Sequence, residues 1–555
     1  MPSVDTASAI LASLDALGLT HVLYCPGSRS APFAYALEAG AFSGDARAVL
    51  DERGAGFMAV GLARTGALPA IVVTSGTAVA ELAPAVLEAS HARLPLLVVS
   101  ADRPGELRGV GASQATDQSR LFGTHVRAQV DLEPQEASTT LVGHLTRCVA
   151  AACGAPTGTP GPVQINVAFR DPLTPASPAS PAASGDEAGA SFVPRPTRVL
   201  AASPVSARWE DVVGPATAGL IVAGEGASPR ALEWSRASGF PLLAEPASGA
   251  WAGGGVTPFE QSLVCSPLGR EVDTVVVTGR PTLSRPIHAL LARPDVRVIL
   301  VDPHAPWVDV SGNASVVVAD LEPARGPIDA AQVEWASRVR DAARDAGERI
   351  ESLLAAGSGR TMLDLARVVA ASSSGPLVLG ASNPVRAFDL AVPTLEGRAV
   401  HSNRGQAGID GTIATAVGIA VGAGSVGGAT VPASERVTAV MGDLTACHDA
   451  SSLALAAAAR AHLDIIVADD RGGGIFATLE HGRATTPEAY DRWFGVAQTV
   501  DYEALAAAYR LAFARVDNPA QLARVLETPQ AGPRLVHVPV ERGAHLYAAI
   551  RDILN

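Results

Sequence analysis

Two stretches in the last third of the chain read TAVMGDLTACHD (Thr438 to Asp449) and IIVADDRGGGIF (Ile465 to Phe476). Each begins with a continuous apolar run, which is typical of a parallel strand buried on both faces. Asp443 directly follows the first run, and Asp470 follows the second, 27 residues later. Because the carboxyl ends of parallel strands meet at one edge of a sheet, the two carboxylates are predicted to lie close together.

This pair of carboxylates suits a hard divalent cation such as Mg²⁺, which prefers oxygen ligands. Gly472 to Gly474 would let backbone groups approach a phosphate closely, with the carbonyl of Gly472 as a further metal ligand. For either aspartate alone, a helix N-cap is the better interpretation. The spacing of the pair instead predicts a metal site that leaves coordination positions open for diphosphate oxygens.

The same pattern recurs along the chain: a Val/Ile/Leu-rich run, a Gly/Ser/Pro loop and an Ala-rich helical stretch. Examples from the three thirds are HVLYCPGS, TVVVTGRP and PLVLGAS. Strands that alternate with helices predict an α/β fold of three doubly wound parallel-sheet domains, at residues 1–180, 195–345 and 360–555. Residues 172–196 are rich in Pro, Ala and Ser, which favours a linker between the first two domains.

Composition excludes several classes of function. The net charge of −13 argues against a nucleic-acid partner or an anionic membrane surface. All 42 basic residues are arginine, and the chain has no lysine. Schiff-base enzymes, pyridoxal-phosphate enzymes and Walker-type phosphate loops each need a lysine amine, so none of these classes fits.

The sequence also predicts a cytoplasmic location. The N-terminal segment has no basic region before its apolar run, and Asp15 interrupts that run, unlike a signal peptide. The five scattered cysteines have no zinc-ligand spacing and are expected to be free thiols in a reducing compartment. The least polar stretch, Thr412 to Val431, is rich in Gly and Ala, which predicts a buried helix and its exit loop rather than a membrane span.

Glu52, in VLDERGAGFMAVGLAR, ends a strand-like segment and begins a Gly/Ala helix. Gly442-Asp443 with the later Asp470 resembles the thiamine-diphosphate motif, a Gly-Asp-Gly followed two to three dozen residues later by Asn-Asn. Leu444 replaces the second Gly, Asp469-Asp470 replace the Asn pair, and Arg471 is expected to offset the added charge. The resemblance implies that Glu52 bonds N1′ of the aminopyrimidine and that active sites lie between subunits of a homodimer or homotetramer.

The family becomes recognisable from several motifs together. Together they resemble the 2-succinyl-5-enolpyruvyl-6-hydroxy-3-cyclohexene-1-carboxylate synthases: CPGSRSAP (25–32), DERGAGF (51–57), TSGTAVAEL (74–82), SADRPGEL (100–107), GASNPVR (380–386), SNRGQAGIDG (402–411) and GGGIF (472–476). The resemblance implies a thiamine-diphosphate- and Mg²⁺- or Mn²⁺-dependent transferase of menaquinone biosynthesis. Such an enzyme decarboxylates 2-oxoglutarate and adds the succinyl carbanion to isochorismate.

The resemblance also implies roles for individual residues. Both substrates are dianions, and arginine binds carboxylates in planar, bidentate geometry. Arg285 is favoured over Arg280 as the contact from the central domain, and Ser113 stands where the family often has Asn. The implied catalytic residues are Glu52, Ser28, Arg29, Gln114, Ser382, Arg386 and Arg404. The implied cofactor contacts are Glu52, Ile409, Gly442, Asp443, Leu444, Asp470, Gly472, Gly473, Ile475 and Phe476. The implied substrate contacts are Ser28, Arg29, Arg103, Gln114, Arg285, Ser382, Arg386, Arg404, Ile475 and Phe476.

Three alternatives stay open at this stage or are set aside. An acetolactate-synthase-like or pyruvate-oxidase-like enzyme would share the three-domain plan, but pyruvate needs only one carboxylate partner. A non-catalytic paralogue is suggested by Asp469-Asp470, although Glu52 and the arginine loops argue against it. The formal GxGxxG at Gly422 to Gly427 follows a helix-like run rather than a strand, so it does not predict a dinucleotide site.

Overall fold

The protein is described by a computed structural model that covers residues 3–134, 138–175, 194–424, 430–431 and 435–555. The chain forms two compact units. The first contains Met1–Ala202, Ile413–Gly424 and Ser451–Ala456, and the second contains Ser203–Thr412, Ser425–Ala450 and Ala457–Asn555. The α/β class predicted from the sequence is confirmed, because parallel sheets with accompanying helices build both units.

The first unit is built on a parallel sheet with the strand order β2-β1-β3-β4-β6-β5. Its central strands β3 and β4 are buried at every residue, which explains why β3 is apolar throughout and β4 is apolar from Leu96 to Val99. The strands are β1 (His21–Tyr24), β2 (Asp45–Ala48), β3 (Pro69–Val73), β4 (Leu96–Asp102), β5 (Gln129–Leu132) and β6 (Pro162–Ala168). The helices are α1 (Ser3–Ala16), α2 (Ala31–Glu38), α3 (Glu52–Arg64), α4 (Thr77–Ala80), α5 (Ala83–Ala92) and α6 (Thr139–Ala152).

Helix α15 (Thr412–Gly422) is the buried helix that the Gly/Ala-rich stretch predicts. Within the first unit it meets α3 at a close backbone crossing. A Cβ on Gly61 would lie 2.1 Å from the carbonyl oxygen of Thr415, and a Cβ on Gly418 would lie 2.0 Å from that of Met58. Only glycine fits at these two positions, so the helix that begins at Glu52 is held by direct backbone packing.

The second unit contains two larger parallel sheets, with strand orders β12-β11-β10-β8-β9 and β15-β14-β17-β18-β21-β19. The short pairs β13-β7 and β16-β20 accompany them. The strands are β7 (Ser206–Ala207), β8 (Gly219–Ala223), β9 (Leu242–Ala244), β10 (Thr274–Thr278), β11 (Arg297–Val301), β12 (Ala314–Val318), β13 (Asp320–Leu321), β14 (Leu377–Leu379), β15 (Val400–His401), β16 (Thr430–Val431), β17 (Val437–Gly442), β18 (Leu463–Asp469), β19 (Ala512–Arg515), β20 (Gln530–Ala531) and β21 (Arg534–Pro539).

The remaining helices lie between these strands in sequence, except for α22, which follows the last strand, and α12 connects the two sheets. They are α7 (Trp209–Val212), α8 (Ala231–Ser238), α9 (Glu260–Cys265), α10 (Pro267–Glu271), α11 (Arg285–Leu291), α12 (Ala330–Ala355), α13 (Met362–Ser372), α14 (Asn383–Ala391), α16 (Asp443–His448), α17 (Leu453–Ala459), α18 (His481–Ala484), α19 (Pro487–Tyr490), α20 (Tyr502–Ala508), α21 (Pro519–Glu527) and α22 (Ala544–Arg551).

Two sequence predictions fall partly outside the residues that the structure describes. The structure does not describe residues 176–193 of the predicted linker or residues 425–427 of the formal GxGxxG. The division into three domains therefore stays a prediction, although separate sheets occupy the three predicted regions. In the described ranges, no helix combines the length and the apolar character needed to cross a membrane.

Candidate active site

Asp443 and Asp470 lie at the same edge of the C-terminal sheet. Strands β17 and β18 pair in parallel with Gly442 opposite Ala468, so both aspartates follow carboxyl ends of neighbouring strands. Asp443 is buried, and its Oδ2 accepts a hydrogen bond from the amide of Gly472 at 2.7 Å. Its Oδ1 accepts from the amide of Leu444 at 2.9 Å. These two backbone donors fix the direction of the carboxylate at the strand end.

The electrostatics of this edge favour a bound cation. Burial raises the pKa of Asp443 to about 6, and the nearby charge of Asp469 raises it further. Burial also raises the pKa of Asp470 to about 7, with the charge of Asp443 adding and that of Arg542 opposing. A divalent cation bound to both groups would remove this penalty, so the residues fit Mg²⁺ or Mn²⁺. No set of three His, Cys, Asp or Glu side chains spaced to hold a metal occurs in the described part of the chain, so further ligands would come from the backbone and the diphosphate.

Asp469, the other carboxylate of the Asp pair, is hydrogen-bonded to a histidine from a distant strand. Its Oδ2 lies 3.0 Å from Nε2 of His537, and its Oδ1 accepts the backbone amide of Arg471 at 3.0 Å. The bond to His537 is the main reason that the pKa of Asp469 is lowered, and the charge of Arg471 contributes less. The sequence led us to expect that the Arg471 side chain would stabilise this extra carboxylate. His537, which comes from strand β21, has the larger effect on the pKa of Asp469.

The glycines after Asp470 are required by packing within the protein. Gly472 has φ +117°, and a Cβ there would lie 2.0 Å from the carbonyl oxygen of Gly495. The hydroxyl of Tyr490 donates to the carbonyl of Gly473 at 2.8 Å. A Cβ on Gly474 would lie 1.9 Å from Oδ2 of Asp470. The loop is thus held against residues 490–495 while its backbone stays close to the second carboxylate.

Glu52 is the first residue of α3 in the first unit. Asp51 caps this helix by accepting the amide of Gly54 at 3.0 Å, and the hydroxyl of Ser451 donates to the same carboxylate at 2.9 Å. Burial raises the pKa of Glu52, a backbone hydrogen bond opposes this, and the charges of Asp51 and Glu81 add to it. A half-buried carboxyl with a raised pKa, on a helix fixed at both ends, is suited to exchanging a proton.

Several of the predicted substrate residues of the first unit form one cluster. Arg29 donates from Nη1 to the carbonyl of Phe169 at 2.9 Å, while its buried Nε has no hydrogen-bond partner. Arg103 donates to the hydroxyl of Ser75, and burial together with the charge of Arg29 lowers the pKa of Arg103. Gln114 donates to the carbonyl of Ser75 at 2.9 Å and has a left-handed φ of +54°.

Ser28 is exposed in the loop that carries Arg29, before helix α2. Ser75 was not predicted from the sequence, although it contacts both Arg103 and Gln114. It lies in TSGTAVAEL, a motif of the same resemblance, so its position in that motif could have pointed to it.

In the second unit, Arg386 and Arg404 share an acceptor. Their guanidinium groups donate to the carbonyl of Ala381 at 3.2 and 3.1 Å. Arg386 also donates to the carbonyl of Ser382 at 2.8 Å. Arg404 is buried and donates to the carbonyl and hydroxyl of Thr282 at 3.0 and 3.1 Å, and its Nε has no partner among the residues that the structure describes. Burial and the charge of Arg404 lower the pKa of Arg386 to about 10.

Sequence reasoning missed a buried acidic cluster beside these arginines. Glu245, Glu260 and Asp389 are each at most 4% exposed. Burial raises the pKa of Glu245 to about 8 and that of Asp389 to about 6, and raises the pKa of Glu260 well above its ordinary value. Gln261 donates to Asp389, and Glu245 accepts the amide of Leu283 at 2.7 Å. The spacing of Arg386 and Asp389, three residues apart on one helix, could have indicated part of this cluster.

The two candidate arginines of the central region have different surroundings. Arg285 is exposed and pairs with Glu480 at 3.2 Å. Arg280 is buried and pairs with Glu225 at 2.5 Å. Each guanidinium is therefore already paired with a carboxylate, and the substrate role of Arg285 stays a prediction.

The predicted apolar contacts are all half-buried. Ile409 lies in the loop before α15, and Ile475 and Phe476 lie in the turn Gly474–Thr478. The ring of Phe476 packs against that of Phe494, with centroids 5.6 Å apart. These side chains are accessible enough to contact a ligand, although their roles remain predictions.

Comparison with known proteins agrees with this arrangement. Residues 4–121 match the family model described as "Thiamine pyrophosphate enzyme, N-terminal TPP binding domain", and residues 389–538 match the corresponding C-terminal TPP binding domain. Three curated relatives are each called 2-succinyl-5-enolpyruvyl-6-hydroxy-3-cyclohexene-1-carboxylate synthase. The one from Nocardioides sp. is 40% identical over 97% of this chain and 95% of the relative. Those from Kineococcus radiotolerans and Nocardia farcinica are 41% and 37% identical, over 98% and 99% of this chain and 96% and 99% of the relatives.

Proposed function

Since the chain belongs to the 2-succinyl-5-enolpyruvyl-6-hydroxy-3-cyclohexene-1-carboxylate synthase family, we propose that it uses 2-oxoglutarate and isochorismate. The reaction is a thiamine-diphosphate-dependent decarboxylation of 2-oxoglutarate, followed by 1,4-addition of the resulting succinyl group to isochorismate, with release of CO₂. This makes the protein a C–C bond-forming transferase of menaquinone biosynthesis. The observation that carries the proposal is the pair of guanidiniums, from half-buried Arg386 and buried Arg404, that share the carbonyl of Ala381.

These arginines suit a dianionic substrate. Burial is the main reason that the pKa of Arg386 is lowered, and the charge of Arg404 adds to it, so a carboxylate between the two guanidiniums would offset both effects. Within the described residues, the buried Nε of Arg404 has no hydrogen-bond partner, so a donor is left for a ligand. We assign Ser382, Arg386 and Arg404 to carboxylate binding in the second unit. In the first unit we assign this role to Ser28, Arg29, Arg103 and Gln114.

Thiamine diphosphate supplies, when bound, the electron sink that allows a 2-oxoacid to lose CO₂. The part proposed for Glu52 is to hold a proton at N1′ of the aminopyrimidine. Its pKa, raised chiefly by burial, supports this, because such a carboxyl holds a proton more readily than an exposed glutamate does. The cap at Asp51 would keep the Glu52 carboxyl at a fixed end of α3.

Asp443, Asp470 and the carbonyl of Gly472 would hold Mg²⁺ or Mn²⁺ for the diphosphate. The two raised carboxyl pKa values support a cation there, and the close backbone of the glycine loop supports a phosphate. The remaining cofactor contacts would be largely apolar or through the backbone. They are Ile409, Gly442, Leu444, Gly473, Ile475 and Phe476.

The assembly is proposed to be a homodimer or homotetramer whose subunits complete each other's active sites. Leu50, two residues before Glu52, is 86% exposed, and Val110 near Gln114 is 67% exposed. Apolar side chains this exposed beside site residues are typical of surfaces covered by a partner. We also propose a cytoplasmic location, because the five free thiols fit a reducing compartment.

The rival functions differ in a measurable way. An acetolactate-synthase-like or pyruvate-oxidase-like enzyme would decarboxylate pyruvate, and a non-catalytic paralogue would bind cofactor without consuming either acid. The test is to offer purified protein, thiamine diphosphate and Mg²⁺ equal concentrations of 2-oxoglutarate and pyruvate, with isochorismate present. We expect CO₂ to come from 2-oxoglutarate with at least about 100-fold preference, since pyruvate lacks the second carboxylate. Equal or greater use of pyruvate would overturn the proposal.

A further inference from the structure

The second unit contains a cavity of about 850 Å³ that shares no residue with the candidate active site. It lies between the end of α8, the start of β9, helix α12 and the residues that follow α14. Pockets of this volume commonly take ligands the size of a cofactor or a drug. The cavity therefore has enough room for a small organic molecule.

The apolar floor of the cavity is built from two locally unfavourable residues. Phe259, with φ +61°, is in the left-handed region, where a bulky side chain is rarely found. Gly347 lies in the interior of α12, where glycine weakens a helix, and a Cβ there would lie 3.0 Å from Cε2 of Phe259. With this backbone conformation and with glycine at position 347, the phenyl ring of Phe259 lies against helix α12 and lines the cavity. Backbone strain of this kind concentrates at ligand sites.

One wall of the cavity is cationic. Arg340 and Arg344 lie one turn apart on α12, and like charges at this spacing repel each other. Arg344 pairs with Asp341 at 3.0 Å, but both groups are largely exposed, so the pair is weak. Within the described ranges, Arg340 has no ion-pair or hydrogen-bond partner. The lining as a whole holds four arginines and two glutamates, so positive charge is in excess.

The mouth of the cavity exposes apolar surface next to these charges. Ile328 is 38% exposed and Val333 is 51% exposed, and both line the cavity. Covering such side chains with an apolar ligand is favourable, and an anionic group on that ligand would reach the arginines. We propose that the cavity is a binding site for a small organic anion that has an aromatic body and one carboxylate or sulfonate group.

The probe for this site is 8-anilinonaphthalene-1-sulfonate, added to the holoenzyme loaded with thiamine diphosphate and Mg²⁺. Glutarate is added at saturating concentration as a competitor for the proposed carboxylate sites of the active site. We expect one saturable fluorescent site per chain that glutarate does not displace. In the double variant Arg340→Gln/Arg344→Gln, we expect the dissociation constant to rise at least tenfold. The matched control is Arg338→Gln/Arg349→Gln on the same helix, whose arginines pair with Glu271 and Asp345.

A second variant separates charge from folding. Val333 is exposed, so Val333→Glu should leave the fold intact while placing a carboxylate at the mouth. We expect weaker binding of the sulfonate in this variant and a smaller effect for Val333→Gln. The proposal is overturned if binding does not saturate, if glutarate displaces the probe, or if the arginine double variant binds as tightly as wild type.

Discussion

The carboxylate of Asp443 and the amide of Gly472 are joined by a hydrogen bond of 2.7 Å. This bond connects the carboxyl end of β17 to the glycine loop after β18. It places Gly472 next to Asp443 and Asp470, the two proposed metal ligands. Asp443 thereby orients the loop as well as offering a carboxylate oxygen. A change at Asp443 should therefore affect metal and diphosphate binding together.

For Asp443→Asn we expect Mg²⁺ to bind at least about tenfold more weakly, because the variant loses one negative charge and its NH₂ group cannot accept the backbone amide of Leu444 or of Gly472. Isothermal titration of Mg²⁺ into protein with thiamine diphosphate measures this directly. The matched control is Asp469→Asn, since Asp469 is bonded to His537 rather than placed at the proposed metal position. If both variants bind Mg²⁺ equally well, the metal role of Asp443 is wrong.

Glu52→Gln should lower the turnover rate by about 100-fold to 10,000-fold, since glutamine cannot exchange a proton. Initial rates at saturating cofactor and substrates measure the effect, and circular dichroism checks that the fold is intact. Glu38→Gln, an exposed glutamate at the end of α2, is the control and should leave the rate unchanged. Full activity of Glu52→Gln would contradict the proposed proton transfer.

The sequence was sufficient for the parts of the fold that depend on local pattern. Apolar strand runs followed by aspartates placed Asp443 and Asp470 at one sheet edge, because strand direction alone decides that geometry. The Gly/Ala-rich run likewise predicted α15, since small residues permit the close crossing at Gly418.

The charge balance of buried groups could not be predicted from the sequence. It depends on which distant segments meet. His537 is hydrogen-bonded to Asp469 from 68 residues away, and Gln261 is hydrogen-bonded to Asp389 from 128 residues away. The ion pair of Arg285 with Glu480, 195 residues away, could not be predicted for the same reason. These partners lie far along the chain and follow no fixed spacing.

Arg404→Lys should raise the KM for 2-oxoglutarate at least about tenfold. Lysine cannot donate to both Ala381 and Thr282 while also presenting a planar fork to a carboxylate. Steady-state kinetics with 2-oxoglutarate varied at fixed isochorismate provide the measurement. Arg515→Lys is the comparison, and we expect a change below about threefold because its pair with Asp517 is exposed and lies outside the proposed site. An unchanged KM in Arg404→Lys would contradict the proposed role of Arg404.

Glu245→Gln should change the pH dependence of stability. The pKa of Glu245 is raised to about 8 in the folded protein, so stability contributed by its protonated form is lost as pH rises from the ordinary carboxyl range to about 8. Glutamine stays neutral and can still accept the amide of Leu283. The free energy of unfolding of the variant should therefore rise relative to that of wild type by up to about 1.4 kcal/mol per pH unit across this range. Above pH 8 the difference should stay constant.

Urea unfolding at pH 6, 7, 8 and 9 measures this gain. Glu334→Gln, at an exposed position on α12, serves as the control and should follow wild type at every pH. A constant difference between Glu245→Gln and wild type from pH 6 to 9 would show that Glu245 is ionised throughout.

Gly418→Ala should destabilise the protein by about 1–3 kcal/mol or more, because the added methyl group would lie 2.0 Å from the carbonyl oxygen of Met58. Gly143→Ala is the matched control, since Gly143 lies within helix α6 with open space around it. That change should stabilise by about 0.5–1 kcal/mol through helix propensity. Urea midpoints compare the two. Equal effects would mean that the crossing of α3 and α15 is not tightly packed.

The most direct test of the proposed function is the consumption of isochorismate by purified protein with thiamine diphosphate, Mg²⁺ and 2-oxoglutarate, each omitted in turn. We predict that isochorismate disappears, with one CO₂ released per molecule consumed, only when all three are present. Consumption of isochorismate without 2-oxoglutarate, or release of CO₂ from 2-oxoglutarate with isochorismate left unchanged, would contradict the assignment.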